Sequence, residues 1–71
     1  MKLIQNYKGG YLSEVAKDLL RYATIDKVED WETNKGYRRR YEFKKIRGNY
    51  WYIEKLNGEI SSLGYRNFPF D

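Results

Sequence analysis

Between Lys35 and Arg47, seven of thirteen residues are basic: Lys35, Arg38, Arg39, Arg40, Lys44, Lys45 and Arg47, with Glu42 the one acid among them. The preceding stretch reverses the sign, setting Asp26, Glu29, Asp30 and Glu32 against Lys27. The chemistry open to such residues is electrostatic. The cations can grip phosphates or an acidic surface, or they can pair with the carboxylates across a hairpin. Covalent and acid–base chemistry has few carriers. There is no His and no Cys, which removes the usual general base, the thiol nucleophile and the common transition-metal ligands. Ser13, Ser61 and Ser62 have no imidazole to activate them, and Lys8-Gly9-Gly10 lacks the spaced glycines and the Lys-Ser/Thr of a phosphate-binding loop. On a strand, Asp26, Asp30 and Glu32 share a face, the minimum for a weak divalent-cation site, but the arginines expected opposite them argue against one. We expect a non-enzymatic protein with no cofactor and no metal.

Composition narrows the class further. A chain of 71 residues builds one domain and buries only about 60% of the surface its unfolded form exposes. Its packing must come from rings: eight Tyr, two Trp and three Phe, each able to bury roughly 150–250 Å². A net charge of +4 and an isoelectric point near 9.4 tilt the expected partner toward an anionic one. Met1-Lys2-Leu3-Ile4 is too short for the apolar region of a signal peptide, and no run reaches membrane-spanning length. With no cysteine to oxidise, these features suggest a cytoplasmic protein that does not enter membranes.

The elements that must position the charges follow from periodicity. Leu3, Ile4 and Tyr7 mark a short first strand ending at Lys8-Gly9-Gly10. Leu12, Val15, Ala16, Leu19, Leu20 and Ala23 then recur at the spacing of an amphipathic helix, with Ser13 as its expected N-cap and Glu14 near the positive end of its dipole. Strands are predicted over 25–33, 37–46, 50–56 and 59–63. They are joined by a three-residue turn at Asn34-Lys35-Gly36, a turn at Arg47-Gly48-Asn49 and the strong hairpin signal Asn57-Gly58. Phe68 and Phe70, flanking Pro69, are expected to pack back onto the body. The fold class is α+β, one amphipathic helix on a curled antiparallel sheet, in the order β-α-β-β-β-β. That order is similar to cystatin-like sheets, an analogy of architecture that carries no function.

A three-residue first loop sets Thr33 against Tyr37, and Glu32–Arg38, Asp30–Arg40 and Asp26–Lys44 then become opposite pairs on one wet face. Trp31, Tyr37, Tyr41 and Phe43 fall on the other, core-like face, together with Arg39 and Lys45, and Arg39 would reach an acid such as Glu29. A two-residue loop at Asn57-Gly58 places Tyr52 opposite Leu63 and Tyr50 opposite Tyr65, with Trp51, Ile53 and Ile60 on the reverse side.

Two functions fit this pattern. In the first, the chain docks on a larger protein or nucleoprotein machine through Lys35, Arg38, Arg39, Arg40, Lys44, Lys45, Arg47, Tyr50 and Tyr52, since Arg, Tyr and Trp are the residue types that dominate interface energetics. A standard interface takes about 800 Å² per partner, roughly a sixth of the surface expected for this mass. In size, composition and lack of catalytic groups the chain resembles the small inhibitors encoded by phages and mobile elements. In the second, the basic strand 35–47 neutralises phosphates of DNA or RNA while Tyr50 or Tyr52 stacks on bases. The single helix makes a poor groove reader, because Glu14 and Asp18 balance its Lys17 and Arg21.

Overall fold

The apolar stripe folds as helix α1, Leu12–Tyr22, in the computed structural model, which describes residues 12–69. Four strands follow: β1 Ile25–Thr33, β2 Gly36–Phe43, β3 Tyr50–Leu56 and β4 Glu59–Arg66. They form one antiparallel sheet in chain order β1-β2-β3-β4. Mainly sheet with one helix, the fold is α+β in character. The expected order β-α-β-β-β-β is corrected, because among the described residues the helix comes first. The strand expected at Leu3–Tyr7, like Phe70, lies outside the described residues. Helix α1 also starts one residue before Ser13, which places Ser13 inside the first turn instead of at the cap.

The helix packs on part of one face of the sheet, on its β4 side, and leaves Val28 and Tyr37 of that face exposed. Val15, Ala16 and Leu19 are buried against Phe43, Ile46 and Ile53, while Leu20, Ala23, Tyr41, Trp51, Ile60 and Leu63 pack around that cluster. Burying a side chain such as Ile53 contributes about 1.5–3 kcal/mol, so this small group supplies much of the driving force. Alternation then sends Arg38, Arg40, Glu42, Tyr50, Tyr52 and Glu54 to the face away from the helix. Trp31 pairs with Arg38 and belongs to that far face as well, not to the core side expected for it.

The register of the first hairpin differs from expectation by one residue. Thr33 pairs with Gly36, so the loop is the two residues Asn34-Lys35. Thr33 ties it from inside, its Oγ1 accepting from Lys35 N–H at 3.1 Å and donating to the Gly36 carbonyl at 3.1 Å. Gly36, at φ 135°, lets the chain rejoin the ladder one position early. The ladder therefore reads Glu32–Tyr37, Trp31–Arg38, Asp30–Arg39 and Glu29–Arg40, and the expected Glu32–Arg38, Asp30–Arg40 and Asp26–Lys44 pairs do not form. The last hairpin shifts too. An irregularity between Glu54 and Lys55 sets Tyr52 opposite Gly64 and Tyr50 opposite Arg66, replacing the expected partners Leu63 and Tyr65. Trp51, Ile53 and Ile60 do share the helix-covered side. Strand β4 also runs three residues beyond its expected end, to Arg66, and β2 stops at Phe43 short of Ile46.

Strand β1 lies at one edge of the described sheet, with Asp26, Lys27, Glu29, Asp30 and Glu32 in nine residues. Charges at this density discourage edge-to-edge pairing with another chain.

Candidate anion-binding end of the sheet

After Phe43 the chain leaves the ladder and makes a small closed tip. The Lys44 N–H donates to the Thr24 carbonyl at 3.0 Å, which fixes the tip to the start of β1. Ile46 turns inward and is buried in the core cluster. Ile46 and Asn49 then exchange both main-chain hydrogen bonds, at 2.8 and 3.0 Å. The two residues between them, Arg47 at φ 50° and Gly48 at φ 87°, have the left-handed backbone of a type I′ turn. This anchoring leaves Lys44, Lys45 and Arg47 exposed on a short, hydrogen-bonded frame. None of the three makes an ion pair with a described residue. Lys45 instead lies over the Tyr50 ring, 5.8 Å from its centroid.

Neighbouring strands extend this end. Tyr50 is the direct cross-strand partner of Arg66, and the Arg66 guanidinium lies 5.3 Å from the centroid of Phe68. Lys45, Tyr50, Arg66 and Phe68 thus alternate cation and ring across the sheet's end. Phe68 is 61% exposed. The expectation that it packs back onto the body is overturned, because its ring projects beside Arg66. Arg66 reads in the sequence only as added charge near the C-terminus, and its contact with Phe68 at this end was missed. The signal was the Arg66-Asn67-Phe68 spacing, but only the shifted β3–β4 register brings it beside Tyr50.

The three strand arginines are placed differently. Arg38 pairs with Glu54 at 3.6 Å and donates to Ser61 Oγ at 3.2 Å. Arg39 grips Asp30 with two hydrogen bonds, 2.6 Å from Nε and 3.0 Å from Nη2, and Nη2 also donates to the Tyr37 hydroxyl at 3.3 Å. Arg40 pairs with Glu29 and stacks over Trp31, 5.7 Å from the ring centroid. Its Nε lies 3.3 Å from Glu42 Oε1, a distance suited to an ion pair but misaligned for a hydrogen bond. Glu42 is only 2% exposed despite lying on the far face.

These contacts shift the titrations in the directions Coulomb's law requires. The Lys27 ammonium, then the Arg40 guanidinium, hold the Glu29 carboxyl below its ordinary value. Arg39 does the same to Asp30, and Asp30 in turn raises the Arg39 guanidinium. For Arg40, burial works against the charge, but Glu29, Glu42 and Glu54 together outweigh it and the pKa rises.

Of the remaining candidates, Lys35 stands exposed in the turn at the opposite end of the sheet from Lys44, Lys45 and Arg47. Tyr52 lays its ring on Gly64 and lines a shallow cleft of about 300 Å³ with Arg40, Glu54, Tyr65 and Arg66. A second open cleft, about 480 Å³, is lined by Glu29, Asp30, Trp31 and Arg40. The structure therefore divides the nine candidates into Lys44, Lys45, Arg47 and Tyr50 at one end, three paired arginines along the strand, and Lys35 and Tyr52 elsewhere. Among the described residues no three carboxylates converge in a way that would hold a metal ion, and no helix is long and apolar enough to cross a membrane. The arrangement can attract and orient an anion at its tip. No protein-family model, curated protein or solved structure matches the chain.

Proposed function

We propose that this protein is a non-enzymatic binding module that docks on a larger protein or nucleoprotein machine through the basic tip at residues 44–50. Arg47 carries the reading. It occupies left-handed backbone at φ 50°, where a side chain with a Cβ costs about 1–2 kcal/mol relative to glycine. Asn or Gly suits that position better, so backbone geometry gives no reason for an arginine there. A guanidinium held forward on a closed turn does give one, since strain of this kind collects at functional positions and Arg is a favoured interface anchor. Lys44 and Lys45 beside it, exposed and without ion pairs among the described residues, give the tip one sign of charge. The strand arginines, each engaged with an internal carboxylate, serve mainly to tie β2 to its neighbours, Arg39 and Arg40 to β1 and Arg38 to β3. A small inhibitor or adaptor acting in the cytoplasm fits this description.

Site-specific photo-crosslinking tests it. A photoreactive amino acid at position 44 or 49 should label one partner saturably in cell extract, and Arg47→Ala should reduce that labelling at least tenfold. The same probe at position 35 should label nothing saturably. Labelling from 35 alone, or labelling that survives Arg47→Ala but is lost in Arg39→Ala, would place the docking surface elsewhere. Turnover of any substrate by the purified chain would overturn the non-enzymatic part.

A further inference from the structure

We infer that the component gripped by this end of the sheet is single-stranded nucleic acid, held by Lys44, Lys45 and Arg47 on phosphates while Phe68 stacks on a base. The inference rests on the docking reading of the same tip and names what that tip touches. An acidic protein surface would satisfy the three cations and could bury the rings, but it has no repeat of charge and flat face to match their alternation. Lys45 over Tyr50, Tyr50 opposite Arg66 and Arg66 over Phe68 form a continuous run. Phe68 at its end leaves 61% of its surface in water. Alternating cations and rings match a single strand, whose phosphates and base faces alternate and whose bases are open to stacking. A duplex hides those faces inside its own stack, so an exposed ring gains little from it.

Position supports the same partner. Tyr50 and Arg66 lie on the sheet face away from the helix, at the end where Lys44–Arg47 project. A strand lying across this end would meet the β2–β3 connection, then β3, then β4 in order, at the roughly 4.8 Å inter-strand spacing. On the far face Glu29, Glu42 and Glu54 are each engaged with an arginine nearer the middle of the sheet, and Glu59 lies at the opposite end beside the Asn57-Gly58 turn.

The test is fluorescence anisotropy of the full-length chain with a labelled oligo-dT and oligo-U of twelve nucleotides, a duplex of the same length and labelled poly-glutamate. Both single strands should bind, with log K falling against log salt at a slope of about −2, as three phosphate contacts at roughly 0.7 each require. Phe68→Ala should weaken binding about tenfold without changing that slope, because one stacked base is lost but no charge. Lys44→Glu with Arg47→Glu should abolish binding, and Lys35→Glu, the same reversal of sign at the far end, should leave most of it. Poly-glutamate bound as tightly as oligo-dT would overturn the inference, as would binding indifferent to Phe68→Ala. No binding of either strand at 20 mM salt, while the crosslink from position 44 persists, would overturn the nucleic-acid inference and leave the docking reading standing. Loss of the crosslink together with intact oligonucleotide binding would do the reverse.

Discussion

Asn57 closes the sheet onto Tyr37 with both its main chain and its side chain. Its N–H donates to the Tyr37 carbonyl at 2.8 Å, and its Oδ1 accepts from the Tyr37 N–H at 3.0 Å. The regular β2–β3 ladder has already ended at Arg38–Leu56, so the amide supplies the bond that one further residue pair would have made. Asn57 does this from φ 51°, at the start of the two-residue turn it forms with Gly58, a conformation Asn tolerates better than most residues.

The cost of losing that closure can be separated into its parts. Asn57→Gly keeps the turn and loses the side-chain hydrogen bond, for an expected cost of about 1 kcal/mol. Asn57→Ala also keeps a Cβ in left-handed backbone without the side-chain amide that lets Asn tolerate it, and should cost about 2 kcal/mol or more. Urea denaturation of both variants measures the difference. Equal losses would show that the backbone conformation contributes nothing.

Arg47 should show the opposite sign. Arg47→Asn relieves left-handed strain at the tip, and we expect a gain of about 0.5–1 kcal/mol. For a domain of this size that corresponds to a rise in Tm of roughly 2–8 °C. The same substitution should weaken partner binding at least tenfold. Calorimetry and the anisotropy assay on one protein preparation read both, and a variant neither stabilised nor impaired would remove Arg47 from the site.

Gly64 is required by its neighbour, not by its backbone. A Cβ placed there would collide with the Tyr52 ring lying across it. Gly64→Ala should therefore cost about 1–3 kcal/mol, as overpacking does. Gly64→Ala combined with Tyr52→Leu should recover part of it. If the double variant is no more stable than the single one in urea, the contact is not the cause.

Stability should depend on acid through Glu29 and Asp30. Both carboxyls are held below their ordinary values, by Lys27 and Arg40 for one and by Arg39 for the other. A depressed carboxyl contributes stability that is complete above its unfolded pKa, near 4, and is lost as pH falls through its folded value. The urea midpoint should thus hold steady through neutrality and begin to fall below about pH 4.5. Asp30→Asn with Glu29→Gln should lower the midpoint at pH 7 and flatten the acid limb. Tyr37, raised chiefly by its bond to Asp30, acts at the other end. Its contribution is complete below about pH 10 and lost as pH rises through its folded value. An acid limb unchanged in the double variant would refute the assignment.

Much of the architecture was legible in the chain because it rests on local periodicity. The spacing of Val15, Ala16, Leu19 and Leu20 marks a helix wherever it occurs, and Asn57-Gly58 and the Gly48 of Arg47-Gly48-Asn49 mark turns through backbone preferences that act within a few residues. The division of Trp51, Ile53 and Ile60 onto one side follows from the two-residue repeat of a strand in the same way. The loss of chemical groups was equally plain, since the missing imidazole and thiol need no fold to be counted.

Partnership between distant residues was not legible, because each hairpin register depends on a single residue of loop length. One residue fewer in the Thr33–Gly36 turn moved Asp30 from Arg40 to Arg39, and an irregularity beside Lys55 moved Tyr50 from Tyr65 to Arg66. Such slips change local free energies by amounts too small for composition to reveal, yet they redirect every cross-strand contact that follows. Whether a cation is paired or left exposed is a property of those contacts. That is why Arg39 and Arg47, alike as letters in one basic run, end as an internal clamp on Asp30 and as the exposed apex of a turn.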